Sequence, residues 1–176
     1  MRDDLPSGIV TFLFTDVEGS TALLRELGAT TYAAAVAEHR RVIREACVAQ
    51  GGVEVDTQGD AFFVAFPTAV GALQAAAQAQ EGLDGGPISV RMGLHTGRPL
   101  LADEGYVGED VNKGARVAAA GHGGQVLLSK ETREAVDVDV LDLGEHRLKD
   151  FADPVWIFQL GSQRFQIGRA SCRERV

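Results

Sequence analysis

Two short strands stand where a parallel α/β protein would place a helix. Val53–Val55 and Ala61–Phe66 are β-branched and aromatic and flank the turn TQGD, so they form a hairpin. Helical stretches lie on either side. Thr30–Gln50 is rich in Ala, Glu and Arg and ends at Gly51 and Gly52, and Thr68–Gly82 is rich in Ala. A hairpin between two helices excludes a doubly wound, all-parallel sheet.

The remaining segments complete the pattern. Gly8–Phe14 (GIVTFLF) reads as a buried central strand, and TALLRELG as a helix capped by Ser20 and Thr21 and closed by Gly28. After the turn DGGP comes a strand over Ile88–Thr96, then a loop over Arg98–Gly108. Glu109–Ala120 is helical, with Val111, Ala115, Val117 and Ala118 on its apolar side, and GHGG stops it. A strand at Gln125–Ser129, a short helix at Lys130–Ala135 and strands at Val138–Leu143 and Val155–Leu160 finish the chain. The expected fold class is α+β, a ferredoxin-like βαββαβ core with C-terminal additions.

The length of 176 residues fits one domain. A net charge of −8 argues against wrapping nucleic acid, which needs a basic face. It leaves room for a small anionic ligand, because a bound divalent cation inverts the local charge. Two cysteines, Cys47 and Cys172, make no disulfide framework and fit a reducing compartment. The start, MRDDLPSG, has no leader character, and no apolar run approaches the ~20 residues of a membrane span. The expectation is a cytoplasmic protein with no membrane contact. The domain is expected to cover 8–161, and the basic, aperiodic stretch over 166–176 is expected to be a non-native tail of cloning or frameshift origin.

Within TFLFTDVEGST an apolar strand runs directly into Asp16. That carboxylate has three readings: a helix cap, half of a buried ion pair, or a metal ligand. Asp60 sits in the hairpin turn, an ordinary place for Asp. In a βαββαβ core, however, the hairpin turn can lie beside the end of the first strand. Two converging carboxylates suit Mg²⁺, which takes few protein ligands and leaves positions for phosphates. Two such ions can clamp an in-line phosphoryl displacement. Asn112 and Arg116 stand four apart on one helix face, where they are either solvated or able to hold a phosphate and a ribose oxygen.

TFLFTDVEGST, QGDAFFVAF, MGLHTG and YVGEDVNKGARVAAAGHGGQVLLS, in that order, resemble the class III nucleotidyl cyclase catalytic domain, closest to its short-armed bacterial branch. The resemblance runs from about Gly8 to Leu160. It implies that Asp16 and Asp60 bind two Mg²⁺ or Mn²⁺ ions, with the Val17 carbonyl as a further ligand. It implies a turn of Glu18, Gly19, Ser20 and Thr21 whose N–H groups meet the polyphosphate. Asn112 would orient the ribose, Arg116 would stabilise charge on the α-phosphate, and Lys149 would reach the terminal phosphates. The implied reaction closes a nucleoside triphosphate to its 3′,5′-cyclic form and releases pyrophosphate. The implied assembly is a homodimer, with Asp16 and Asp60 of one chain facing Asn112 and Arg116 of the other.

Base recognition departs from the family. A Lys usual four residues before the second metal Asp is here Asp56, and its partner Asp is here Gly105. Asp56 could accept from guanine, or the site selects its base poorly. ATP stands ahead of GTP on the family's habit. The alternative to an enzyme is a nucleotide-binding or dimerisation module that regulates an attached effector. A diguanylate cyclase is disfavoured because no GGDEF-like turn occurs. His95 and His122 are read as structural.

Overall fold

The structure is a computed structural model that describes residues 2–162; the 166–176 tail and Cys172 lie outside the described residues. The chain runs β1 (Val10–Val17), α1 (Ser20–Leu27), α2 (Ala29–Ala49), β2 (Val53–Gln58), β3 (Ala61–Phe66), α3 (Ala69–Leu83) and β4 (Val90–Gly97). It continues through β5 (Leu100–Ala102), β6 (Gly105–Val107), α4 (Glu109–Ala119), β7 (Val126–Ser129), α5 (Lys130–Glu134), β8 (Val140–His146) and β9 (Val155–Leu160).

One mixed sheet carries the order β2-β3-β1-β4-β7-β9-β8. Its first four strands are antiparallel neighbours in the ferredoxin-like order, with β1 between β3 and β4. β7 then joins β4 in parallel, and β9 and β8 extend the sheet as an antiparallel pair. The α+β class and the βαββαβ core thus stand as the hairpin dictated.

The period-two alternation of each strand divides the molecule into layers. Leu13 and Val17, Phe62, Val64 and Phe66, and Val90, Met92 and Leu94 form one core with Ile43, Ala46 and Cys47 of α2 and the alanines of α3. The opposite face holds Val10, Phe12 and Ala65, with Phe14, Phe63, Tyr106 and Val111 packed against them. There Phe14 stacks on Phe63 at 4.3 Å. A third cluster, Val117, Leu127, Leu148, Val155 and Ile157, lies where α4 meets the added strands. No helix among the described residues is long and apolar enough to cross a membrane.

The structure corrects three local readings. Arg98–Gly108 is not a plain loop, since β5 and β6 pair there as a small antiparallel arm, Leu100 opposite Val107. Strands of three residues carry too little alternation to declare themselves. The strand β8 starts at Val140 and bends at a register shift between Asp142 and Gly144, so its pattern breaks midway. Finally, α1 is capped by Gly19 and not by Ser20 or Thr21. Gly19 takes a left-handed φ of 63° with no side-chain cap, which puts Ser20 inside the helix.

His39 of α2 is completely buried, with its ring edge-on to Phe62 at 5.7 Å. Neither ring nitrogen has a hydrogen-bond partner among the described residues. Burial, helped by the Arg40 charge, pushes its pKa from 6.5 down to about 4. The folded chain therefore resists a proton that the unfolded chain accepts, and stability falls as pH drops from 6.5 toward 4. The loss is about 3 kcal/mol at full extent, at ~1.4 kcal/mol per unit. Urea unfolding at pH 7 and pH 4.5 should show His39→Leu losing less stability than wild type by roughly that amount. Equal acid losses in both proteins would overturn this account.

Candidate functional site

The site begins where β1 ends. Thr15 pairs with Phe62 across β1 and β3, so the next residues, Asp16 and the hairpin turn carrying Asp60, converge at one end of the sheet. Burial, and next the Asp16 carboxylate, raise the Asp60 carboxyl above its ordinary range. The Ser20 and Tyr32 hydroxyls act on Asp60 in the opposite sense. Arg40 of α2 donates to the Gly59 carbonyl at 2.7 Å and steadies the turn.

Asp16 is paired already. It lies opposite Arg91 in the β1–β4 register, and the Arg91 guanidinium gives both Nε and Nη2 to its Oδ2, at 3.2 and 2.6 Å. An Asp16 carboxylate close enough to oppose the ionisation of Asp60, with the Arg91 cation drawn to it, makes a donor set that fits a divalent metal. Among the described residues no third His, Cys, Asp or Glu joins them. Any ion here would be completed by backbone oxygen such as that of Val17, and by the ligand. Sequence reasoning missed Arg91. The signal was its place in VRMGLHTG, two residues before Gly93 on the same strand face.

The turn after β1 is only partly free to meet phosphate. Glu18 spends its N–H on the Ser89 carbonyl at 2.9 Å. Gly19 and the first turn of α1, Ser20 and Thr21, keep the usual unpaired helix-start donors.

The other candidate residues, Asn112 and Arg116, ride on α4. That helix buries Gly114, Val117 and Ala118 and leaves Asn112 exposed. It lies unusually close to the sheet because β4 turns Arg91, Gly93, His95 and Gly97 toward it. A Cβ on Gly93 would stand 2.3 Å from the Ala118 nitrogen, and one on Gly97 would stand 2.3 Å from the Asp110 carboxyl carbon. One on Gly114 would meet the Phe14 ring at 2.7 Å. Between the glycines, buried His95 bonds Ser129 Oγ through Nδ1 and Asp110 Oδ1 through Nε2, each at 2.8 Å. Asp110 also accepts the Arg98 N–H at 3.0 Å, and Lys113 pairs with Glu131 at 2.5 Å. His95 is thus a structural clamp under α4, as the sequence suggested.

Arg116 bonds Asp150, not Asp16 or Asp60. Lys149 is exposed in the β8–β9 turn, next in sequence to Asp150. Asp56 is exposed on β2, and its carboxylate accepts the Thr57 N–H and the Gln58 side-chain amide, both at 2.8 Å. Gly105 opens β6 beside Val55, whose Cγ1 is 3.7 Å from where a Cβ on Gly105 would stand. His122 lies 3.6 Å from Glu18 at the far end of α4.

Comparison with known proteins bears on the family and the fold. The sequence model of the Adenylate and Guanylate cyclase catalytic domain matches residues 4–160. An uncharacterized protein of Mycobacterium tuberculosis is 39% identical over 163 residues, which is 88% of this chain and 56% of that protein. The chain thus spans little more than half the length of that relative. Among solved structures, a monomeric adenylate cyclase of Trypanosoma brucei superposes with a TM-score of 0.82 at 26% identity, covering 98% of this chain and 96% of that one. The adenylyl cyclase CyaB of P. aeruginosa gives 0.78 at 25% identity, covering 92% and 97%. Motifs, topology and family match agree, and the chain belongs to the class III adenylate and guanylate cyclase catalytic domain family.

Proposed function

We propose that the chain is a nucleotidyl cyclase that forms a 3′,5′-cyclic nucleotide and pyrophosphate at a homodimer interface. The observation that carries this reading is the convergence of Asp16 and Asp60 at the end of β1. Asn112 stands exposed on α4 and Arg116 is tied to Asp150, and on this reading a second chain completes the site.

Asp16, Asp60 and the Val17 carbonyl would hold Mg²⁺ or Mn²⁺, two per site, with Arg91 released from Asp16 in exchange. The bound metal would supply Lewis acidity to the ribose 3′-hydroxyl and charge neutralisation to the phosphates. Gly19, Ser20 and Thr21 offer backbone N–H groups to the polyphosphate. Arg91 and the partner chain's copy of Lys149 add positive charge there. Asn112 fixes the ribose so that its 3′-oxygen lies in line with the α-phosphorus. Arg116 meets the negative charge that grows on the α-phosphate, where one well-aimed donor is worth about 3–4 kcal/mol.

ATP stands ahead of GTP, in keeping with the adenylyl cyclases among the similar structures. Asp56 has its oxygens engaged by Thr57 and Gln58, which weakens it as a reader of guanine. Asp56→Lys should raise the ATP-to-GTP ratio of kcat/KM by roughly tenfold or more, the scale of one gained polar contact to the base. An unchanged ratio in competition assays would mean that position 56 never touches the base. The founding test is cyclic nucleotide formation by the purified chain with Mn²⁺ and Mg²⁺, offered ATP and GTP separately. Product that vanishes in Asp16→Ala supports the cyclase. Nucleotide binding without product favours the regulatory module.

A further inference from the structure

Arg116, the residue that the cyclase reading needs as a free positive charge, is not free. Its Nε and Nη2 both donate to a single oxygen of Asp150, at 3.1 and 2.5 Å. A carboxylate in that place cancels the guanidinium charge and would repel the negative charge growing on a phosphate beside it.

Asp150 is held in position by its own turn. Leu148 is buried against Val117 of α4, Phe151 packs on the same cluster, and the Phe151 N–H bonds the Leu148 carbonyl at 3.3 Å. The turn is therefore pinned to α4 on both sides of Lys149 and Asp150. Asp150 itself has φ of 70°, and it is the sole non-glycine with positive φ among the described residues. Glycine would take that conformation without cost, whereas Asp takes it at some strain and brings a charge. The pair is also open to solvent, with side-chain exposures of 36% and 56%, so it is weak enough for a phosphate to replace.

We propose that Asp150 is a built-in counter-ion that restrains Arg116 until a triphosphate displaces it. The chain thus carries its own competitor for the phosphate-binding charge, which raises the substrate concentration the site requires. This role rests on the cyclase reading for its consequence in catalysis, but not for the contact itself.

The test compares wild type with Asp150→Asn and Asp150→Gly, two residues that tolerate the left-handed turn. The first readout is the rate at which phenylglyoxal modifies Arg116 in the full chain, followed by peptide mapping. Both variants should react about three- to fivefold faster than wild type, the range an exposed ion pair allows. Magnesium tripolyphosphate should protect Arg116 at lower concentration in the variants. The second readout is turnover of Mg–ATP. KM should fall by about the same factor with kcat nearly unchanged, and 0.5 M NaCl should narrow the difference. Equal modification rates in all three proteins overturn the proposal. So does a loss of kcat in both variants, which would make Asp150 a support for Arg116 and not its restraint. If wild type makes no cyclic product while both variants still modify faster, the cyclase reading fails and the counter-ion stands.

Discussion

Asp16→Ala should lower cyclic nucleotide formation by on the order of 10³, the effect of losing several kcal/mol of metal-dependent stabilisation. The substitution removes one of the two carboxylates, Asp16 and Asp60, that converge there. It also strands Arg91, whose guanidinium loses both of its bonds to Asp16. Asp60 is still raised by burial but no longer by a neighbouring charge, so its carboxyl should come down toward the ordinary range. The fold should survive, because the side chain is partly exposed and its ion pair with Arg91 contributes little, about 1 kcal/mol or less. The check is turnover over a range of Mn²⁺, set beside a thermal melt. Near-normal rates at saturating Mn²⁺, with an intact melt, would remove Asp16 from the machinery.

Arg116→Ala should cost roughly 10²–10³ in kcat, the range for one charge-stabilising donor. Its more telling use is in mixture with the first variant. If each site takes Asp16 and Asp60 from one chain and Asn112 and Arg116 from the other, a mixed dimer has one site with all four and one with neither key group. Equal amounts of the two dead proteins, allowed to exchange, should then recover about a quarter of wild-type activity. No recovery, with subunit exchange verified by a label, would mean that both residues serve the same chain's site.

The sequence made the fold legible through long periodic segments and one well-placed hairpin. The strand β9 falls on the residues that its β-branched and aromatic pattern marks, and the central β1 follows from GIVTFLF. The short β5–β6 arm escaped because six residues around an Asp-Glu turn offer no period to count. In the site, Asp16 was legible as a polar residue at the end of a buried run, and Asp60 through the hairpin turn that a βαββαβ core can set beside it. Arg91 was not, since its meaning depends on a cross-strand register between residues far apart in sequence. Asp150 was hidden for the same reason. An aspartate in a polar turn is unremarkable until the turn is seen to fold back onto α4.

The glycines of β4 and α4 have a consequence for how the proposed activity would be governed. With Gly93 under the Ala118 backbone, Gly97 under the Asp110 carboxylate and Gly114 against Phe14, the helix has no slack in which to roll or slide. The buried His95 bonds remove what freedom is left. A signal arriving from elsewhere in a longer protein would find little play between α4 and the sheet beneath it. On the two-chain reading, the adjustable quantity is the angle at which one rigid half presents Asn112 and Arg116 to the carboxylates of the other. Catalysis would then be tuned as a hinge is tuned, by turning whole subunits, while each half keeps its internal geometry.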